Sequence, residues 1–225
     1  MPGQFVMARC GTGFDPYLRQ AVPIHRLLDQ GIGLLVRPEN PSLSWLAARQ
    51  PGDIVDLVGP CGHGFDPVEP TDALAVVVQG SGWLAAAAML DAAPCPVQLL
   101  VSAPTERQLP ARELVPGNVE YLAFVGTADD ARRSQALAKA IVWATRLALA
   151  GPSLDGRLPT LYRSVATMLS LSATGLRRGR AQAWLWGDLR CGLGCCDSCL
   201  VDTRRGWRRI CTDGPVFDLA DLVLS

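Results

Sequence analysis

Between residues 4 and about 65 the apolar positions come in short runs broken by Gly, Pro and Asp. Residues 4–9, 22–24, 33–37 and 54–58 read as strands and 42–49 as one short helix, since turn formers bound each run at that length. This rhythm predicts an antiparallel barrel or meander. Gly59-Pro60-Cys61-Gly62-His63-Gly64 holds too many turn formers to continue a strand or helix, and Pro67 and Pro70 follow it. A domain boundary is expected near residue 70.

Beyond it the period changes. Residues 73–78 form a continuous apolar run of the kind buried on both faces, followed by Gly80-Ser81-Gly82, a helical run at 83–92 and a strand at 97–101. A strand at 119–125 leads through Asp129 and Asp130, good helix starters, into a helix expected to reach about Leu149. A helix at 158–172 and a last strand at 182–186 complete the pattern. Strands alternating with helices predict a parallel sheet. The expected fold class is α/β plus β: an antiparallel barrel (1–70), a parallel α/β domain of nucleotide-binding type (71–187) and a Cys-rich module (188–225).

Charge excludes some functions. Lys+Arg and Asp+Glu number 21 each, so there is no net field to draw in nucleic acid or anionic lipid. No apolar stretch approaches the roughly 18 residues that span a bilayer. A globular chain with no nucleic-acid partner and no membrane span is expected. The eight Cys in 225 residues, behind an opening with no basic and apolar leader pattern, point to a reducing cytoplasm rather than a disulfide scaffold.

Cys10, Cys61 and Cys95 are scattered, whereas Cys191, Cys195, Cys196, Cys199 and Cys211 fall within 21 residues. Cys191-x4-Cys196-x2-Cys199, then eleven residues to Cys211, matches the plant-type iron–sulfur spacing C-x4-C-x2-C…C. Four thiolates hold the two irons, and the loop must aim backbone N–H groups at sulfur, for which Gly192 and Gly194 supply the backbone freedom. Cys195 reads as a packed or spare thiol, with ligation through Cys195-x3-Cys199 as the alternative. Structural zinc also takes four Cys, but from two short knuckles, and only one is present.

Residues 200–210 have the shape of a hairpin with a basic tip. It reads as a solvated turn; docking onto an acidic partner is the sharper alternative, with Asp197, Asp202, Asp213, Asp218 and Asp221 in or beside it to blunt the field. His25 and His63 stand in no metal or triad spacing and read as ordinary loop residues. Trp184, Trp186 and Trp207 are expected to pack the module against the α/β domain.

Cys191-Gly192-Leu193-Gly194-Cys195-Cys196-Asp197-Ser198-Cys199, followed by Arg209-Ile210-Cys211-Thr212-Asp213-Gly214-Pro215-Val216-Phe217, resembles the end of dihydroorotate dehydrogenase electron-transfer subunits, in the ferredoxin-reductase superfamily. Pro2-Gly3-Gln4-Phe5-Val6-Met7, Asp15-Pro16-Tyr17-Leu18-Arg19, Pro51-Gly52-Asp53 and Leu57-Val58-Gly59-Pro60-Cys61-Gly62-His63-Gly64-Phe65 resemble further family segments in order. The resemblance covers nearly the whole chain. It implies an FAD-binding barrel, a nicotinamide-binding domain and a [2Fe-2S] cluster on Cys191, Cys196, Cys199 and Cys211. It also implies a separate flavoprotein catalytic subunit as partner, with dihydroorotate oxidation and pyrimidine biosynthesis as the setting. The implied role is electron transfer within an oxidoreductase. The alternative is a non-catalytic partner protein whose four-Cys site, iron–sulfur or zinc, holds its fold.

The departures from the family concern nucleotide binding. The family's Arg-Pro-x-Ser after Arg19 is Gln20-Ala21-Val22-Pro23 here, leaving Arg19 as the candidate FAD contact. Its Gly-x-Gly-Thr phosphate turn falls near Asn40-Pro41-Ser42-Leu43-Ser44, where Pro41 has no N–H. The nicotinamide turn becomes Gln79-Gly80-Ser81-Gly82-Trp83, whose ring is expected to crowd a phosphate. Asp155-Gly156-Arg157-Leu158-Pro159 replaces a Cys-Gly-Pro, and Trp186 stands where the family has Glu. About two strands usually precede the Pro-Gly-Gln-Phe segment, so either an incomplete barrel is expected or the true start lies upstream of Met1.

Overall fold

The computed structural model describes every residue except Thr12, Phe14, Asp15, Asp155, Gly156, Thr174 and Ser225. Asp15 of the second matched segment, and Asp155 and Gly156 of the segment ahead of the second long helix, therefore lie outside the described residues.

The first part is a four-stranded sheet of β1 (Phe5–Ala8), β2 (Gln20–Leu28), β3 (Gly31–Leu34) and β4 (Leu57–Cys61), with helix α1 (Pro41–Ala47) between β3 and β4. The order is β3-β2-β1-β4 and every pairing is antiparallel. Val6, Ala8, Cys10, Val22 and Ile24 form its core, with Leu43, Trp45 and Leu46 of α1 packed on it. One expectation is corrected here. The strand expected at 54–58 runs instead from Leu57 through Gly59 to Cys61, and β3 ends at Leu34 rather than reaching 37. The register slips between Phe5↔Cys61 and Met7↔Val58. Gly59 makes that bulge possible: at φ +149, an added Cβ would lie 3.0 Å from Val6 Cγ1 and 3.1 Å from Phe5 O.

The second sheet comprises β5 (Leu74–Gln79), β6 (Val97–Ala103), β7 (Glu120–Val125), β8 (Arg146–Ala150) and β9 (Ala181–Trp184), with helices α2 (Trp83–Ala92), α3 (Asp130–Trp143) and α4 (Thr160–Leu171). A hairpin, β10 (Leu200–Thr203) and β11 (Gly206–Arg209), a one-turn helix α5 (Ile210–Asp213) and β12 (Val216–Asp218) follow. The sheet order is β12-β9-β8-β5-β6-β7, parallel except for β12.

The helix expected to reach Leu149 stops at Trp143, and Arg146–Ala150 is β8, between β5 and β9. Arg-Leu-Ala-Leu-Ala favours helix locally and no Gly or Pro announces the break. Burial between two parallel neighbours overrides that propensity. Nor is β9 the last strand, since β12 pairs with it from beyond the cysteines.

Helix α2 is apolar all round, with Trp83, Ala85, Ala86, Ala87, Ala88, Met89 and Leu90 buried. It lies between β2 of the first sheet and β5 and β8 of the second, so both its faces need apolar residues. At that junction Arg26 forms a two-pronged ion pair with Asp91 and donates to Leu114 O at 2.6 Å. A core cluster on the other face of the sheet runs without a break from Leu147 and Leu149 to Phe5 and Met7 of β1 and to Cys199, Val201, Ile210 and Cys211. The cysteine module is thus packed onto both sheets. Among the described residues no helix is long and apolar enough to cross a membrane.

Candidate functional site

Eleven residues separate Cys199 from Cys211, and the β10–β11 hairpin closes that gap. Leu200 pairs with Arg209 across the hairpin, and Ile210 N donates to Cys199 O at 2.9 Å. Cys199, just before β10, and Cys211, in α5, therefore meet as buried neighbours with their thiols hydrogen-bonded to each other. Burial, then the Cys199 thiol, pushes Cys211 up to about 12, against the pull of the Gly194 N–H. Such a pair favours protonated sulfur until a cation replaces the protons.

Cys191, Cys195 and Cys196 lie on the loop before β10. Gly192 at φ +67 and Gly194 at φ +76 turn the chain back on itself, and Asp197 at φ +52 is anchored by Arg209 Nε at 2.5 Å. The loop rests on β1: a Cβ at Gly192 would stand 2.6 Å from Met7 Cγ. Around Cys191, burial acts to raise the thiol, but the N–H groups of Leu193, Cys195 and Cys196 and the Cys196 thiol outweigh it and bring it down to about 6. The Leu193 N–H lies 3.4 Å from the Cys191 sulfur. Backbone dipoles converging on sulfur are what an anionic thiolate requires. Cys195 is exposed and is raised by its hydrogen bond to Cys191 and by the charge there. Cys196 Sγ is 3.2 Å from Ser198 Oγ, which is 3.4 Å from Asp188 O.

The four spaced cysteines thus come together as two groups, Cys191 with Cys196 and Cys199 with Cys211, linked through Gly194. Among the described residues no three His, Cys, Asp or Glu side chains converge on one point as the ligands of a single ion would. A two-iron centre takes two thiolates per iron, whereas tetrahedral zinc takes four around one atom. The donor set and its grouping fit the two-iron cluster.

Arg19 stands just before β2, beside β1. Its guanidinium donates to Asp56 Oδ2 at 2.6 Å, Asp56 O at 3.0 Å and Met7 O at 3.4 Å. The bridge holds the exposed Asp56 carboxyl below its ordinary range. A cleft of about 360 Å³ opens beside it, lined by Arg19, Gln20, Ser42, Trp186, Asp188 and Arg190 among others. Trp186 stacks on the fully buried Trp184, ring centroids 5.1 Å apart at 9°, and stands edge-on to Phe5 at 5.7 Å.

Trp83 does not crowd the Gly80-Ser81-Gly82 turn. It is 5% exposed and packs edge-on to His25 at 5.8 Å, because α2 is buried on both faces. His25 Nδ1 meets Leu84 O at 3.1 Å, and His63 Nδ1 meets Thr212 O at 2.9 Å. His25 therefore lies within β2 and ties it to α2, rather than being the ordinary loop residue expected, and His63 ties its loop to the residue after Cys211. Trp207, expected to pack, is 68% exposed on the hairpin. Met7, as the floor under Gly192, was not singled out by sequence; its only signal was its place in an apolar β1 run.

The family model for the iron–sulfur cluster binding domain of dihydroorotate dehydrogenase B matches residues 188–223. The chain is 27% identical over 237 residues to the electron transfer subunit of dihydroorotate dehydrogenase B (NAD(+)) from Desulforamulus reducens, covering 96% of this chain and 84% of that protein. It is 28% identical to the subunit of the same name from Geobacillus kaustophilus, over 99% of this chain and 87% of the relative. Among solved structures, an NADH-dependent reduced ferredoxin-NADP oxidoreductase superposes with a TM-score of 0.76 at 18% identity, over 99% of this chain and 79% of the other. The ferredoxin reductase of carbazole 1,9a-dioxygenase gives 0.56 at 20% identity, over 83% and 58%. With its ferredoxin-reductase-like fold and a C-terminal segment that matches an iron–sulfur binding domain, the chain is similar over nearly its whole length to the electron transfer subunits of dihydroorotate dehydrogenase B.

Proposed function

We propose that the chain is an electron-transfer subunit that holds a [2Fe-2S] cluster on Cys191, Cys196, Cys199 and Cys211. It would pass electrons between a flavin or nicotinamide donor or acceptor and a separate flavoprotein catalytic subunit of the dihydroorotate dehydrogenase type, in dihydroorotate oxidation and pyrimidine biosynthesis. One observation carries the reading: the C-x4-C-x2-C…C thiols stand in two groups within the segment that matches an iron–sulfur domain. When bound, the cluster supplies a one-electron carrier. The N–H groups of Leu193, Cys195 and Cys196 favour negative charge on the Cys191 sulfur that would hold it. The buried Cys199 and Cys211 shield its inner side from water.

FAD is assigned to the cleft lined by Arg19 and Trp186. The place and chemistry fit a flavin: an aromatic wall, a guanidinium, and a volume within the range of small-molecule sites. The working division is residues 1–70 for the flavin-side sheet, 71–187 for the α/β domain and 188–225 for the cluster module, in a protein of the cytoplasm.

Anaerobic purification followed by iron, labile-sulfide and zinc analysis tests this reading. Equal iron and sulfide, with a paramagnetic signal on dithionite reduction, is expected. Cys196→Ser should lose both and Cys195→Ser keep them. Zinc without sulfide would refute the redox role and leave a structural four-Cys site.

A further inference from the structure

We propose that this chain recognises the flavin through its ring rather than its phosphates, with Trp186 as the stacking platform, so that riboflavin, FMN and FAD bind with nearly the same affinity. The proposal rests on the placement of a flavin in the cleft beside Arg19.

The phosphate side is poorly equipped. Helix α1 begins at Pro41, which has no N–H, and the Asn40 side chain accepts the Leu43 N–H at 2.9 Å. The Ser44 N–H goes to Asn40 O at 2.9 Å. Two of the first-turn amides that would cradle a pyrophosphate there are therefore spent within the helix itself and Pro41 has none, which leaves the Ser42 N–H alone. Arg19, just before β2, has its two terminal nitrogens engaged by Asp56 and the Met7 carbonyl. Arg190, across the cleft, is paired with Asp188 at 2.5 Å. Among the described residues both cations lining the cleft are paired with a carboxylate, so a phosphate entering it must compete with a carboxylate for each guanidinium.

The ring side is built. Trp184 is 1% exposed and its Nε1 donates to Gly3 O at 3.1 Å, which fixes the indole. Trp186 lies on it at 5.1 Å, nearly parallel, and Phe5 closes one edge at 5.7 Å. Trp186, half-buried, lines the cleft. A planar isoalloxazine laid there extends an existing stack against a platform whose orientation is already set, so little ordering entropy is lost on binding.

Fluorescence titration of the cluster-loaded, flavin-stripped protein with riboflavin, FMN and FAD separates the possibilities. Agreement of the three dissociation constants within about tenfold, with strong flavin quenching, is expected. Trp186→Ala should weaken all three alike by about tenfold or more, and Trp186→Phe, which keeps a ring and guards against misfolding, should restore most of the affinity. FAD binding more than tenfold tighter than riboflavin, or Trp186→Ala affinities within twofold of wild type, would overturn the proposal while leaving the flavin assignment standing. Failure of all three flavins to bind would overturn both, and the iron and sulfide content would still report on the cluster.

Discussion

Gly192 links the cluster loop to the first sheet, and replacing it with alanine tests that link. The residue sits at φ +67, and a Cβ there would lie 2.6 Å from Met7 Cγ and 2.7 Å from Met7 Sδ. Met7 is 2% exposed on β1, paired on both sides by β2 and β4, so it has little room to retreat. A non-glycine residue in the left-handed region costs about 1–2 kcal/mol, and overpacking a filled site adds about 1–3 kcal/mol. Gly192→Ala is therefore expected to destabilise the anaerobic, cluster-loaded protein by about 2–5 kcal/mol, or about 4–20 °C in melting temperature. Met7→Ala removes the side chain that is struck. Alone it should cost about 2–5 kcal/mol, but in the Gly192→Ala background about 1–3 kcal/mol less, because the clash is already gone. Thermal melts and iron content of the four proteins complete the cycle. Additivity within about 0.5 kcal/mol, or wild-type stability and iron content in Gly192→Ala, would refute the claim that Met7 is the floor of the loop.

Tyr162 OH is fully buried, accepts the Gly151 N–H at 2.8 Å and donates to Trp184 O; Tyr162→Phe should lower stability in urea by about 1–3 kcal/mol for each group left bare. Burial lowers the His25 imidazole below its ordinary 6.5, against a smaller upward pull from Leu84 O. The unfolded chain thus takes up that proton first, so the stability it contributes is full above pH 6.5 and declines as pH falls. His25→Gln should flatten that decline in melts between about pH 7 and pH 5, and an unchanged slope would assign it elsewhere. Asp56→Asn frees Arg19 from its carboxylate; FMN and FAD should bind several-fold more tightly and riboflavin should not, as read by the same fluorescence titration.

Much of the site was legible because it is local. The C-x4-C-x2-C…C spacing and the glycines at 192 and 194 lie within one short stretch, and the chemistry follows from residue type and count. The glycine turn at 80–82 and helix α2 were legible for the same reason, since periodicity and turn formers act over a few residues. Other features depend on partners distant in the chain. Arg146–Ala150 carries helix-forming residues and became a strand only because β5 and β9 flank it. Gly59-Pro60 reads as a break and is carried in β4 as a bulge against β1. Trp186 read as module packing, and only the fold set it on Trp184 and in the wall of a cleft shared with Arg19. Arg19 read as a phosphate contact, and only the fold set Asp56 beside it, 37 positions along. The sequence determined which groups are present and which short turns they occupy. The tertiary structure decided which of them meet, because long-range burial outweighs local propensity wherever a segment is covered on both faces.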